Sequence, residues 1–238
     1  MHSYVYESWL GLIMPEICPR CRKATGRGFC RACRRDFVPH SPRSDESGPD
    51  LPCSIAGHPG GSWQTDGLAV PYRYCDPLDL YVQALKYRGQ RQLGRAFGLL
   101  LAEAVYARRA AIDALVPVPL HRRRQRERGY NQALEIARTV AHELRLPILC
   151  AKITRIKRTA PQSELGAAAR IRNLAEAFDV RRNLAGARLA IVDDVVTTGA
   201  TLNCLARALR DAGATYIEGW AIARTLPVES PIHEEKAG

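Results

Sequence analysis

The sequence predicts an α/β protein, a mainly parallel sheet covered on both faces, preceded by a small four-cysteine zinc finger. Three observations predict it. Apolar strand-like runs alternate with helical patterns from about residue 66 to residue 223, the order that builds a parallel sheet. Four cysteines stand near the start as CxxC-x8-CxxC, a spacing that suits a tetrahedral thiolate site. The 238 residues, 46% of them apolar, are enough to bury a core of ordinary size.

Texture divides the chain into residues 1–40 with the knuckle, a linker over 41–65, an α/β domain over 66–227, and a polar tail over 228–238 that frays. The linker follows His40 and is rich in Pro, Ser and Gly. Within the large domain, Gly67–Tyr74 reads as a strand. Leu78–Arg88 is a helix with Leu78, Tyr81, Val82 and Leu85 on one face, and Gln92–Arg109 is a second helix. Ala114–Val118 is a short strand. Asn131–Leu144 is amphipathic, with Leu134, Ala137, Ala141 and Leu144 at helical spacing. Pro147–Ile153 reads as another strand and Ala167–Ala177 as another helix. Ala187–Val192 is a strong buried strand, Thr201–Ala212 a helix stopped by Gly213, and Ile217–Ala223 the closing strand.

Lys and Arg outnumber Asp and Glu 35 to 24, a net charge of +11. Such a surplus suits a polyanionic partner or a phosphorylated substrate, with a solvated basic surface as the plain alternative. No apolar run approaches the ~20 residues that span a bilayer, and the N-terminal stretch makes a poor signal peptide. The expected location is cytoplasmic. Cysteines stay reduced there, so they call for metal or core roles; Cys75, Cys150 and Cys204 read as small core residues.

Three segments carry chemistry. In LAIVDDVVTTGAT, Asp193 and Asp194 follow an apolar strand at the edge where parallel sheets bind ligands. Thr197, Thr198, Gly199, Ala200 and Thr201 then lead into a helix, offering free backbone N–H groups and hydroxyls to an anion. Carboxylates beside a phosphate cradle suit a sugar phosphate. A magnesium site of a P-loop ATPase is disfavoured because no GxxxxGK[ST] is present. In VPVPLHRRRQRERGYNQA, five arginines between Arg122 and Arg128 stand beside one acid, Glu127. Cations at a helix start are unfavourable unless they meet an anion, so pyrophosphate is the expected guest, with a solvated basic helix start as the plain alternative.

The third is CPRCRKATGRGFCRAC. Cys18, Cys21, Cys30 and Cys33 form a closed, structural site for which zinc is the default ion, with a redox dithiol or an iron–sulfur cluster as the lesser alternatives. Arg20, Arg22, Lys23, Arg27, Arg31, Arg34 and Arg35 crowd it, with no acid from 18 to 35. Those bases exceed what four thiolates on Zn²⁺ require, which suits a nucleic acid touching Arg31, Arg34 and Arg35. Phe29 and Phe37 are either a stacking surface for unpaired bases or the knuckle's own core.

The stretch LAIVDDVVTTGAT resembles the phosphoribosyl-pyrophosphate (PRPP) loop of type I phosphoribosyltransferases. With Leu85–Gly89 (LKYRG), Pro117–Gln132 and Arg158–Phe178 in that order, the chain resembles the ComF/GntX family from about Cys18 to Ala223. The resemblance implies a type I phosphoribosyltransferase-like domain. Asp193 and Asp194 would hold the ribose hydroxyls and Thr197–Thr201 the 5′-phosphate. Leu120, His121, Arg122 and Arg123 would receive pyrophosphate with Mg²⁺, and a mobile loop carrying Arg158, Gln162, Arg170 and Asn173 would close over the site. The family also implies natural competence, single-stranded DNA and a competence helicase as partner. Many members carry a second cysteine cluster where this chain has only Cys53, near His58. Three functions follow: PRPP-binding DNA handling first, active phosphoribosyl transfer second, PRPP sensing third.

Overall fold

The structure is a computed structural model, and it describes residues 16–25, 27–40, 63–156 and 177–225. The linker with Cys53 and His58, most of the expected helix at 167–177, the polar tail, and the loop residues Arg158, Gln162, Arg170 and Asn173 lie outside the described residues.

The chain opens with β1 (Glu16–Ile17) paired antiparallel to β2 (Ala24–Thr25), then a single turn of helix, α1 (Arg31–Arg34). There follow β3 (Gly67–Ala69), β4 (Tyr72–Arg73), α2 (Leu78–Tyr87), α3 (Gln92–Val105) and a 3-10 turn over Tyr106–Ala111. Then come β5 (Ala114–Pro117), α4 (Arg122–Arg128), α5 (Gln132–Leu144), β6 (Ile153–Arg155) and β7 (Phe178–Val180). The chain finishes with β8 (Arg188–Val196), α6 (Ala200–Asp211) and β9 (Tyr216–Arg224).

The main sheet runs β3-β9-β8-β5, with β4 also on β9, and every pairing in it is parallel. Beyond β5 the chain at Pro147–Leu149 adds a single parallel bridge. Leu115 N donates to Pro147 O at 2.9 Å, and Leu149 N donates to Leu115 O at 2.8 Å. The expected strand over Pro147–Ile153 is therefore two things. Its start edges the main sheet, and its last residue begins β6, which forms a separate antiparallel pair with β7. Gly67–Tyr74 is likewise split into β3 and β4 around Pro71, which has no N–H to give a ladder. The expected Gln92–Arg109 helix gives way to 3-10 geometry after Val105.

Side chains alternate across β8: Leu189 and Ile191 face one core, Ala190 and Val192 the other. On the first side lie α6, β6 and β7. On the second lie α2, α3, α5 and the knuckle. Phe29 sits edge-on to Phe37 at 5.0 Å and to Tyr81 of α2 at 5.3 Å, with Phe97 of α3 at 5.7 Å. Phe29 and Phe37 are 3% and 1% exposed, so they are core and not a stacking surface. The knuckle shares its apolar core with the α/β sheet.

Helices α3 and α5 meet at two glycines. A Cβ on Gly94 would stand 2.6 Å from the Glu135 Cβ, and one on Gly98 would stand 2.8 Å from the Ile136 carbonyl oxygen and collide with Thr139. Nothing larger than hydrogen fits there. Near the start of β9 a buried carboxylate is fully used: Glu218 accepts from Arg108 (3.0 Å), Tyr216 (2.8 Å) and Trp220 (2.7 Å). Among the described residues, no helix is long and apolar enough to cross a membrane.

Candidate functional site

The connections out of β5 and β8 diverge. From β8 the chain passes through α6 to β9 on one side, and from β5 through α5 to the Pro147–Leu149 edge on the other. The crevice between two strands that part in this way is where open α/β sheets take ligands. Strand β8 also outruns β5. Their register ends at Pro117↔Val192, whereas β8 continues beside β9 to Val196↔Arg224. The acidic pair therefore lies within the strand, with Val195 and Val196 still to follow, and not beyond it as the sequence suggested. The partner β9 extends the ladder past Val192.

Successive strand residues leave by opposite faces. Asp194 turns toward α2, where its Oδ1 lies 2.9 Å from Lys86 Nζ, and it is only 7% exposed. Burial works against the Lys86 ammonium, but Asp194 and then Asp193 hold its pKa above the ordinary value. Asp193 faces the β6–β7 side. Burial, and next the Asp194 carboxylate, push the Asp193 carboxyl up to about 7, against the pull of Lys86 and Arg155. Its Oδ1 accepts the Asp194 backbone N–H at 2.8 Å. Arg155, on β6, lies 5.5 Å from the centre of the Phe178 ring, and burial together with Arg124 draws its pKa down.

After β8, Thr197 and Thr198 are exposed, Ala200 and Thr201 half-buried, and Gly199 buried at φ +76°, the left-handed region that favours glycine. Gly199 caps α6, and Ala200 N donates to the Thr198 hydroxyl at 3.4 Å. The Trp63 indole packs so closely on Gly199 that any Cβ there would collide with it. Gln64 N donates to Asn203 Oδ1 at 2.6 Å, fastening this stretch to α6.

After β5, Leu120 and His121 are half-buried, and His121 Nδ1 accepts from Arg123 N at 3.3 Å to cap α4. Arg122, Arg123 and Arg126 are exposed, with Arg123 tied to Glu127 at 2.8 Å. Asn131 Nδ2 donates to Val118 O at 2.9 Å, while the Tyr130 hydroxyl donates to Leu85 O of α2. The arginine segment is thus anchored to the helix that carries Lys86.

Lys86, Arg155 and Trp63 also stand against the acidic pair and the threonine run, and the sequence alone does not single them out. Lys86 lies in LKYRG, but a lysine in the last turn of a helix already suits the helix dipole. Arg155 and Trp63 carry no motif of their own, and only the tertiary fold brings them here.

The four knuckle Sγ atoms lie within 4.8 Å of one another, and Cys18 and Cys33 are buried. Burial opposes ionisation of Cys18, yet backbone N–H groups of Cys21, Cys30 and Arg20 bring its thiol down to about 6. Burial and the neighbouring thiols push Cys33 up to about 12. The cluster could hold a metal such as zinc. The surrounding cations find acids distant in sequence. Arg20 pairs with Asp36, Arg27 with both Glu143 oxygens (2.9 and 3.1 Å), and Arg34 with Glu103 at 2.8 Å. Arg31 and Arg35 are exposed.

Fold and site define a parallel α/β protein with a switch-point crevice and a four-thiol knuckle built into its core. No family model matches the chain. It is 35% identical over 228 residues to DNA utilization protein YhgH of Salmonella typhi, covering 90% of this chain and all of that protein. It is 32% identical over 224 residues to competence protein F of Haemophilus influenzae, covering 87% and 96% of the two chains. Competence protein ComFC of Bacillus subtilis is 29% identical over 236 residues, covering 91% and 88%. The chain belongs to the ComF family of competence and DNA-utilization proteins. A purine phosphoribosyltransferase from Pyrococcus horikoshii Ot3 superposes on 56% of this chain and 75% of its own, at 22% identity and a TM-score of 0.34, too loose a likeness to carry an argument.

Proposed function

We propose that this protein handles single-stranded DNA in uptake or use of foreign DNA, and binds PRPP or a related phosphosugar in the β5–β8 crevice. The observation that carries the reading is convergence. A carboxylate pair with Asp194 buried, a glycine-pinned threonine cradle and an arginine segment all belong to β8 and β5 or to the chain that follows them, the strands whose diverging connections favour a ligand crevice. Asp193 and Asp194 would meet the ribose hydroxyls, Thr197–Thr201 the 5′-phosphate, and Leu120–Arg123 the pyrophosphate. Mg²⁺ would accompany that pyrophosphate and neutralise it. For Asp194 to take a hydroxyl, the Lys86 ammonium must share or release it.

Zinc is the ion we assign to Cys18, Cys21, Cys30 and Cys33, since four mutually close thiols, one with its pKa near 6, suit it. Relatives named for competence and DNA utilization support the DNA role. The cytoplasm is the compartment we assign, and a competence helicase the protein partner. Of Arg31, Arg34 and Arg35, the first and last are exposed and open to a phosphate backbone, whereas Arg34 pairs with Glu103.

Calorimetry tests the pocket: PRPP with Mg²⁺ should bind wild type, and D193N/D194N should abolish binding while the melting curve shows a folded protein. Unchanged PRPP affinity would remove the pocket assignment. Oligonucleotide affinity should fall steeply with salt, with the log–log slope reduced by about 2 in R31A/R35A. A screen of bases and amines for PRPP-dependent pyrophosphate release separates transfer from binding alone.

A further inference from the structure

Beside the crevice stands an aromatic ring that the fold does not need. Tyr87, the last residue of α2, is 70% exposed and so adds little to the core. It follows Lys86 directly, which places its Cα about 3.8 Å from that of the lysine pairing with Asp194. The Arg128 guanidinium lies over the Tyr87 ring at 5.0 Å. Arg128 does not depend on that contact for its position, because its Nη1 donates to Gln132 Oε1 at 3.0 Å and Gln132 is only 2% exposed. A buried amide thus fixes an arginine against one face of an exposed tyrosine, and most of the ring remains open to solvent.

The surroundings are cationic. Arg88 is exposed on one side, and Arg122 and Arg126 are exposed on α4, whose seven residues span about 10 Å. An exposed aromatic face held beside arginines offers stacking to a base and charge to its phosphate, whatever the base.

We propose that Tyr87 and Arg128 form a base-stacking platform for single-stranded nucleic acid at the mouth of the phosphosugar crevice. A nucleotide stacked there stands one helix residue on from Lys86 and against Arg128 of the arginine segment, so the strand is held by this face and not only by the knuckle arginines. This site rests on the DNA-handling reading above and adds a location to it.

Fluorescence anisotropy with a labelled oligothymidylate tests it, with heparin as a polyanion lacking bases. Y87A should weaken oligothymidylate binding roughly ten-fold, Y87W should retain it, and neither should change heparin binding. Ultraviolet cross-linking of a bromouracil-substituted oligonucleotide should label the peptide containing Tyr87 in wild type, a readout independent of any variant's folding. If wild type binds the oligonucleotide and Y87A binds it equally, or the cross-link maps elsewhere, the platform is refuted while DNA handling stands. If wild type does not bind oligonucleotide at all, both fall. Equal losses for heparin and oligothymidylate in Y87A would mean that charge alone is at work, which also refutes stacking.

Discussion

Asn at position 193 should make the ligand-free protein more stable, and increasingly so as pH rises. The side chain keeps its size, and an amide Oδ1 can still accept the Asp194 N–H that the carboxylate accepts at 2.8 Å. What is lost is a charge that burial and the Asp194 carboxylate disfavour, only partly offset by Lys86 and Arg155. The folded carboxyl titrates at about 7, whereas an unfolded aspartate titrates near its ordinary value of 3.8. A raised acid pKa means that the folded state is favoured below the unfolded value, and that this advantage is lost as pH climbs to the folded value. At about 1.4 kcal/mol per unit, the roughly two units from pH 5 to 7 amount to as much as about 3 kcal/mol. Solvent reaching the half-buried group reduces that figure.

Urea unfolding of wild type and D193N at pH 5, 6, 7 and 8 reads the effect directly. Titrating groups that do not interact with Asp193 cancel in the difference between the two proteins, which leaves Asp193 and its neighbours Asp194, Lys86 and Arg155. The stability gap should widen by about 1–3 kcal/mol between pH 5 and 8, at unchanged m-value. A gap that is flat, or that narrows with pH, would show that Asp193 is ionised throughout and that the burial argument is wrong.

Three further outcomes are expected. K86M should cost about 2–4 kcal/mol by stranding Asp194, whose side chain is 10% exposed, and adding D194N should recover most of the loss; additive losses in that double-mutant cycle would deny the pairing. G199A should lower the melting temperature and PRPP affinity together, since it meets both a positive φ and the Trp63 ring, and W63A should recover part of the melting temperature; an unperturbed G199A would contradict the close packing. Chelation should release about one zinc per chain and lower the melting of the whole domain in a single transition, because Phe29 and Phe37 share the core of α2 and α3. Calorimetry showing a separate knuckle transition, with the main one unmoved, would refute that shared core.

The sheet was legible because burial imposes a period. Leu189–Val192 could be little other than an inner strand, and Leu202, Leu205, Ala206 and Leu209 fix the inward face of α6. Strand ends were not legible, because they are set by a partner. Nothing local to Asp193–Val196 says that β9 extends the ladder that far. The Pro147–Ile153 segment failed for a related reason, since its two ends pair with different neighbours. At the site, Asp193, Asp194 and the threonine run declared themselves through unusual composition. Lys86 did not, because its role depends on a residue more than a hundred positions away. The ion pairs of the knuckle arginines were hidden in the same way: the acids that meet Arg27 and Arg34 sit on α5 and α3.

Gly94 and Gly98 carry a consequence for how sequences of this kind can diverge. With no side chain between them, α3 and α5 touch backbone to backbone, and α5 begins at the very residues, Asn131 and Gln132, that tether the arginine segment and hold Arg128. An alanine at either glycine would wedge the helices apart. The displacement would be inherited, through Tyr130 and Leu85, by the end of the helix that bears Lys86 and Tyr87. A methyl group far from any ligand would thus be felt as a misaligned binding crevice. Because the atoms in the way are the Cβ atoms of Glu135 and Thr139 and the Ile136 carbonyl oxygen, trimming the facing side chains short of glycine would not make room.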